Sequence, residues 1–523
     1  MHRRRHSLLA LAVTAALALS ACGGSDDDGG SGGSGGSGSG EPVPGGTAAI
    51  GMVSEPRTLD PAYLSNNLTT NALVGNALYG SLVTNDPVTG EVSPSMAESV
   101  ETTDGGTTYR LVLREGLTFS DGTPLDAAAV QANWDRARSV ELRAPVIAVA
   151  INITATTPVD PRTLEFTLRT PTLAFDQTIA TSALNWIASP AALAGGQAAL
   201  DAAPIGAGPF VLESWTRGGA MELVRNDTYW DAPRPYLDGL TLTAQNDAVQ
   251  RFNTLQSGQV DAILNNSPVI TQRAEDAGIA VAVPSEPNGG STVVFQTQTA
   301  PFDDVRAREA VYKAIDLDVV QSAVFNGAGT VPRSLFGEES PFYTGEYLSG
   351  SDPERAQELF DELADEGTPV EFTMVTFPTT EALAVAQSMQ SQLAAFDNVT
   401  MEIDNRDFAG AQGALTGGQF QASIAGLQFV DPEPQLYSGL YSTSFLNFSK
   451  IADPEIDEAL DAARLTADES ARTEYYTTVE ERVGELYPFI IWSATRENVL
   501  GDLQGVELYG TGSVVLSGAW LDE

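Results

Sequence analysis

The only cysteine of this chain, Cys22, ends an apolar run that starts at Leu8 and follows Arg3, Arg4 and Arg5. A basic start, a short apolar stretch and small residues before a cysteine describe a secretory signal closing in a lipobox, whose cleavage leaves Cys22 as a lipid-modified N-terminus. The plainer alternative is an ordinary signal peptide with a chance cysteine. Both histidines, His2 and His6, lie upstream of the cut. A mature chain without histidine or free thiol has no Ser-His-Asp triad, no cysteine nucleophile and no Cys/His metal site, so neither a metal nor another cofactor is expected. Disulfides are excluded as well. The catalytic chemistry left open is a carboxylate pair of the glycoside-hydrolysing kind, for which Asp431 with Glu433 is one candidate. With 69 acidic residues in the chain such pairs arise from composition alone, and binding rather than catalysis is the expectation.

The formal net charge is −42. Acidity on this scale argues against nucleic acid as a partner, because phosphate binding needs clustered positive charge. It also repels anionic lipid, leaving acyl chains on Cys22 as the membrane contact at the cell surface or in the periplasm. Only Gly, Ser and Asp occur from 23 to 40, a composition that stays unordered, so 1–22 reads as signal peptide and 23–46 as a flexible tether. About 480 residues remain, enough for a large core and more than one domain. No later apolar run has the length of a membrane span.

The elements that would position a site mix strands and helices without regular alternation, as in an α/β chain. Strand-like runs occur at 48–53, 109–113, 164–168, 292–296, 371–376 and 489–492. Asp104-Gly105-Gly106 reads as the turn of a hairpin. Asp126, Asp352-Pro353-Glu354 and Asp453-Pro454 mark helix starts. Thr466 with Glu469 reads as a capping box for a helix whose stripe is Tyr475, Val479, Val483 and Leu486, stopped at Pro488.

The most specific stretch lies between 77 and 130. It holds Tyr79-Gly80-Ser81-Leu82, Pro94-Ser95-Met96-Ala97-Glu98-Ser99, the hairpin of 104–114, and a turn and helix start at 119–130. Four further blocks accompany it. They are Ser54–Pro61 with Leu59-Asp60-Pro61; Pro204-Ile205-Gly206-Ala207-Gly208-Pro209-Phe210 followed by Arg225-Asn226 and Tyr229-Trp230; Gly258-Gln259-Val260-Asp261; and Pro301-Phe302-Asp303-Asp304-Val305-Arg306. In this order, over 46–523, they resemble the peptide/nickel/opine-type family (family 5) of extracellular solute-binding proteins of ABC importers.

The resemblance implies a two-lobed α/β clamp (type II, cluster C-like) with an extra inserted domain. The first lobe would comprise 47–86, 204–288 and 489–523, the extra domain 87–203, and the second lobe 289–488. Such a protein, a monomer, would hold a peptide or peptide-like solute between its lobes and deliver it to the importer's permease subunits with their ATPases. The loop after Leu59-Asp60-Pro61 would line the cleft through Ser65, Asn66 and Asn67. Phe295 and Gln296 would contribute from the strand opening the second lobe, and Trp492 from the return crossing. The segment Leu427-Gln428-Phe429-Val430-Asp431-Pro432 departs from the peptide-binding pattern, which has a tryptophan and an aspartate that holds the ligand's α-ammonium. Here Leu427 replaces the tryptophan and Gln428 is neutral, so it forms no charge-assisted bond to an ammonium. Asp431 either substitutes or starts the turn at Pro432. Phe429, Tyr437 and Tyr441 would be apolar walls. A non-peptide solute (opine, glycoside or oligosaccharide) therefore stays open beside a peptide, and nickel held by histidine is excluded.

Overall fold

Strand Thr47–Met52 lies between two parallel neighbours, Gly239–Ala244 and Ala262–Asn265, and its Ala48, Ile50 and Met52 are buried. A strand covered on both faces reads as a nearly continuous apolar run, which is how 48–53 looks in the sequence. It is the middle of a seven-stranded sheet ordered Val281–Ala282, Asn498–Gly501, Ala262–Asn265, Thr47–Met52, Gly239–Ala244, Ala220–Arg225 and Phe210–Trp215. The computed structural model describes residues 41–66, 69–283, 288–494 and 497–521. Cys22 and Asn67 lie outside the described residues.

A second sheet has five strands, in the order Val399–Asn405, Val370–Thr376, Ala422–Phe429, Asn288–Phe295 and Phe489–Ser493. These two sheets are the centres of the two lobes of the clamp. A third, antiparallel sheet of four strands (Ala97–Thr102, Thr108–Leu113, Thr163–Leu168, Ile153–Pro158) carries the 104–106 hairpin. Its core is continuous with that of the seven-stranded sheet, since Tyr109, Phe166, Trp134 and Trp186 belong to the same buried cluster as Ile50 and Leu242. Trp134, on helix Ala127–Ala137, meets Phe166 edge-on with ring centroids 5.0 Å apart.

Alternation along the strands of the second sheet decides which side chains face which layer. Val293, Phe295, Ile490 and Trp492 enter one apolar cluster, while Val294, Phe429, Phe489 and Ile491 enter another. Phe489–Ser493 pairs with Asn288–Phe295, so the chain leaves the second sheet after Ser493 and re-enters the first at Asn498. The boundary expected at 489 therefore falls later. An apolar run alone does not say which sheet it joins.

The helix starts at Asp126, Asp352 and Asp453 are N-caps, each carboxylate accepting from backbone N–H groups of the first turn. For helix Glu469–Leu486 the cap is Asp468 rather than Thr466, and the buried stripe is Tyr476, Val479, Glu480 and Val483. Val479 and Val483 of the expected stripe are buried and Leu486 packs against the same core, whereas Tyr475 is exposed and Tyr476 with Glu480 completes the face.

Candidate ligand-binding cleft

Leu59 and Asp60 are fully buried. The Asp60 carboxylate accepts two hydrogen bonds from Arg136, at 2.8 and 2.5 Å, and a third from the Ala62 N–H at 3.1 Å. The Tyr79 hydroxyl donates to the Leu59 carbonyl at 2.5 Å. Held in this way, the turn Pro61–Tyr63 presents Leu64 and Ser65 to a cavity. Asn66, next in the chain, is buried. Its amide donates to the Ala180 carbonyl at 2.6 Å and accepts from the Ser513 hydroxyl at 3.0 Å. Ala180 directly precedes Thr181, Ser182 and Ala183, which line the same cavity, so Asn66 joins two pieces of one wall. Asn66→Ala should lower stability by about 1–3 kcal/mol, because it strips partners from buried groups, and should weaken solute binding. Chemical denaturation and a binding titration on the same variant check both.

The opposite wall is the end of strand Ala422–Phe429. One edge pairs along its length with Asn288–Phe295, whereas the other meets Val370–Thr376 only through Ala422 and Ser423. Residues 426–428 thus present a strand edge to the cavity. Helix Gln435–Leu440 follows, adding Gln435, Ser438 and Gly439, and Leu446 and Phe448 close that side. Pro145, Val146 and Val149, at and just before the short helix Ile147–Ala150, extend the first wall.

The cavity, which is open to solvent, has a volume of about 410 Å³, within the roughly 300–1,000 Å³ of small-ligand sites. Both lobes contribute lining, and among the described residues that lining contains no Asp, Glu, Lys, Arg or His. Apolar side chains alternate with hydroxyls and carboxamides. The arrangement suits desolvation and hydrogen bonding, and supplies no acid, base or metal ligand.

The site residues read from the sequence divide into two groups. Ser65, Leu427 and Gln428 are brought together around the cavity. Phe295 lies against Phe302 at 4.4 Å, Trp492 stacks on Phe325 at 5.7 Å, and Phe429 meets Phe336 at 5.6 Å, all in buried clusters away from the cavity. Gln296 is buried, its amide donating to the Gly418 carbonyl at 3.5 Å. Tyr437 and Tyr441 stack on each other at 4.5 Å, and their hydroxyls donate to Asp461. For Phe295, Phe429 and Trp492 the physical reason is shared: their strands belong to a sheet buried on both faces, so aromatic character marks core there.

Asp431 starts the turn, accepting from the Glu433 N–H at 2.9 Å, and both its oxygens are held by Arg472 at 3.0 and 2.9 Å. Glu433 is bound to Arg464 at 2.7 Å, and burial pushes its carboxyl up against the pull of that arginine. Asp431 also faces Gly90, in the inserted 87–203 segment, where an added Cβ would come within 3.2 Å of the Asp431 Cβ. Nearby, the Leu173 N–H donates to the Arg464 carbonyl at 2.8 Å. Both carboxylates are thus held by arginines of their own lobe, and neither lines the cavity. The wall segments 145–149 and 181–183 carry no motif in the sequence; Ser182 shows only as the cap of a short turn.

Residues 91–447 match the profile described as Bacterial extracellular solute-binding proteins, family 5 Middle. The chain is 28% identical over 418 residues to the glutathione-binding protein GsiB of Escherichia coli (strain K12), across 76% of this chain and 79% of that protein. Its fold is similar to that of the binding protein AgaA from A. tumefaciens R10, solved in complex with agropinic acid (25% identity, TM-score 0.76, 91% of this chain and 99% of that one). It is similar again to the oligopeptide-binding protein AppA from Bacillus subtilis, solved with a nonapeptide (19% identity, TM-score 0.76, 92% and 100%).

Proposed function

Because the chain belongs to the bacterial extracellular solute-binding proteins of family 5, we propose that it captures a peptide or peptide-like small solute between its lobes and delivers it to an ABC importer. The observation that carries this reading is the 410 Å³ cavity with walls from both lobes. A solute there contacts both walls at once and so favours the closed form, whose population rises by the difference in affinity between the two states. The relatives named above bind glutathione, a nonapeptide and agropinic acid, which puts peptide-like solutes first. The uncharged lining favours, as a second reading, an opine-like, glycoside or oligosaccharide solute.

The test is thermal unfolding of the mature protein, stripped of co-purified solute by unfolding and refolding, against pooled di- to pentapeptides. Solute at a hundredfold above its dissociation constant adds about 2.7 kcal/mol, which in a chain this long raises the midpoint by about 2–4 °C. No shift with any peptide pool, together with a shift for an opine or oligosaccharide panel, decides for the second reading. Consumption of the solute would instead mark a hydrolase.

The lipobox ending at Cys22 supports anchoring by lipid, with 23–46 holding a monomeric body off the membrane. Among the described residues no helix is long and apolar enough to cross a membrane. Cys22→Ala should move the protein from the membrane fraction to the soluble extracellular or periplasmic fraction. A variant that stays with the membrane overturns the anchor.

A further inference from the structure

We propose that the part of the solute held in this cavity is uncharged and rich in amides, as in a peptide whose N-terminus is acylated or closed into a ring, rather than one with a free α-ammonium. The inference rests on the cleft reading above and narrows it to a solute class. An ammonium entering the cavity sheds water, and among the described residues no carboxylate lines the wall to replace it. The acids nearest in the chain are committed elsewhere. Asp431 and Glu433 are 6% and 3% exposed and are paired with Arg472 and Arg464. Turning either carboxylate to the cavity would leave an arginine without its partner in a poorly hydrated place. What the walls do offer matches amides. Val149 and Leu427 supply apolar surface, Ser65, Ser182, Gln428 and Gln435 supply donors and acceptors, and the strand edge at 426–428 adds backbone groups. An extended amide chain can lie along such an edge.

Overall charge works the other way, which makes the prediction sharp. A chain of net charge −42 draws cations from a distance. That attraction is screened by salt, whereas a neutral solute is held without regard to it.

Isothermal calorimetry on the refolded mature protein tests this with two probes, N-acetyl-leucyl-leucinamide and leucyl-leucinamide, which differ only at the N-terminus, at low and high salt. The capped probe should bind at least about tenfold tighter, with an affinity unmoved by salt. Gln428→Glu, which places a carboxylate on the wall, should reverse the preference. Ser438→Trp, or Val149→Trp if the first variant folds poorly, should fill the cavity and abolish binding of the capped probe. Equal or tighter binding of leucyl-leucinamide to the native chain overturns the proposal, and if the filling variants abolish that binding too, the cleft reading survives it. Absence of binding by both probes overturns the amide class. Capped-probe binding that survives both filling variants overturns the cleft reading itself.

Discussion

Replacing Glu480 by glutamine should raise stability at pH 8 by about 2 kcal/mol and flatten the fall in stability from acid to neutral pH. Glu480 is fully buried in helix Glu469–Leu486. One carboxylate oxygen accepts from the Ser334 hydroxyl and, at 2.7 Å, from the Leu335 N–H. The other has no hydrogen-bond partner among the described residues. Burial pushes the group up from 4.5 to about 7, with the hydrogen bonds pulling down less strongly. A carboxyl whose folded value lies above its unfolded value stabilises the fold while it holds its proton. That contribution is complete below pH 4.5 and is lost as pH rises through 7. The shift corresponds to about 3 kcal/mol, since each unit is worth about 1.4. Glutamine never ionises and so avoids that loss, but it buries an amide N–H₂ at a cost of about 1 kcal/mol. Asp176, raised to about 6 chiefly by burial, and the buried Glu433 act in the same direction, so the variant keeps part of the native slope. Urea denaturation at pH 5, 6.5 and 8 is the measurement. Parallel pH profiles for the two proteins would mean that Glu480 stays ionised in the fold.

Glu480 also shows where sequence reading stops. Tyr475–Val479–Val483 and Tyr476–Glu480–Val483 are both spaced for a helix face, and residue type favours the first. The structure buries Val479 and Val483 together with Tyr476 and Glu480, and Glu480 can be buried there because Ser334 and Leu335 supply hydrogen bonds that only tertiary contact can bring. Local signals fared better. The aspartates before helices, the 104–106 hairpin and the strand at 48–53 are decided by neighbours within a few residues, and they stand in the structure close to where the sequence puts them. The ordered blocks identify the family because they are built-in packing and turn chemistry, as the buried Asp60–Arg136 pair illustrates. For the cleft, only the segments adjoining such blocks were legible, Ser65 on one wall and Leu427 with Gln428 on the other. Two further pieces of the lining, within 145–149 and 181–183, consist of ordinary small and apolar residues. They gain a role only by facing the other lobe.

The largest loss is expected at Gly289, where Gly289→Ala should cost about 3–5 kcal/mol and remove solute binding with it. Gly289 lies in strand Asn288–Phe295 at φ +71°, a conformation that costs an L-residue about 1–2 kcal/mol. Steric overlap costs more. A Cβ there would sit 1.9 Å from the Leu427 carbonyl oxygen. That oxygen belongs to a backbone paired with the glycine's own strand, Gly289 opposite Gln428 and Gly290 opposite Leu427. It cannot rotate away as a flexible side chain would, so relief requires the end of the strand to move. Leu427 and Gln428 line the cavity, and the displacement is therefore delivered to the binding wall itself. Gly218→Ala separates backbone strain from overlap, because Gly218 has a similar φ of +72° with nothing within 4 Å of its Cβ position. It should lose only about 1–2 kcal/mol and keep full binding. Denaturation midpoints and a solute titration on both variants decide the matter. Equal losses for the pair would mean that backbone strain alone acts at Gly289 and that the close approach to Leu427 is relieved without disturbing the wall.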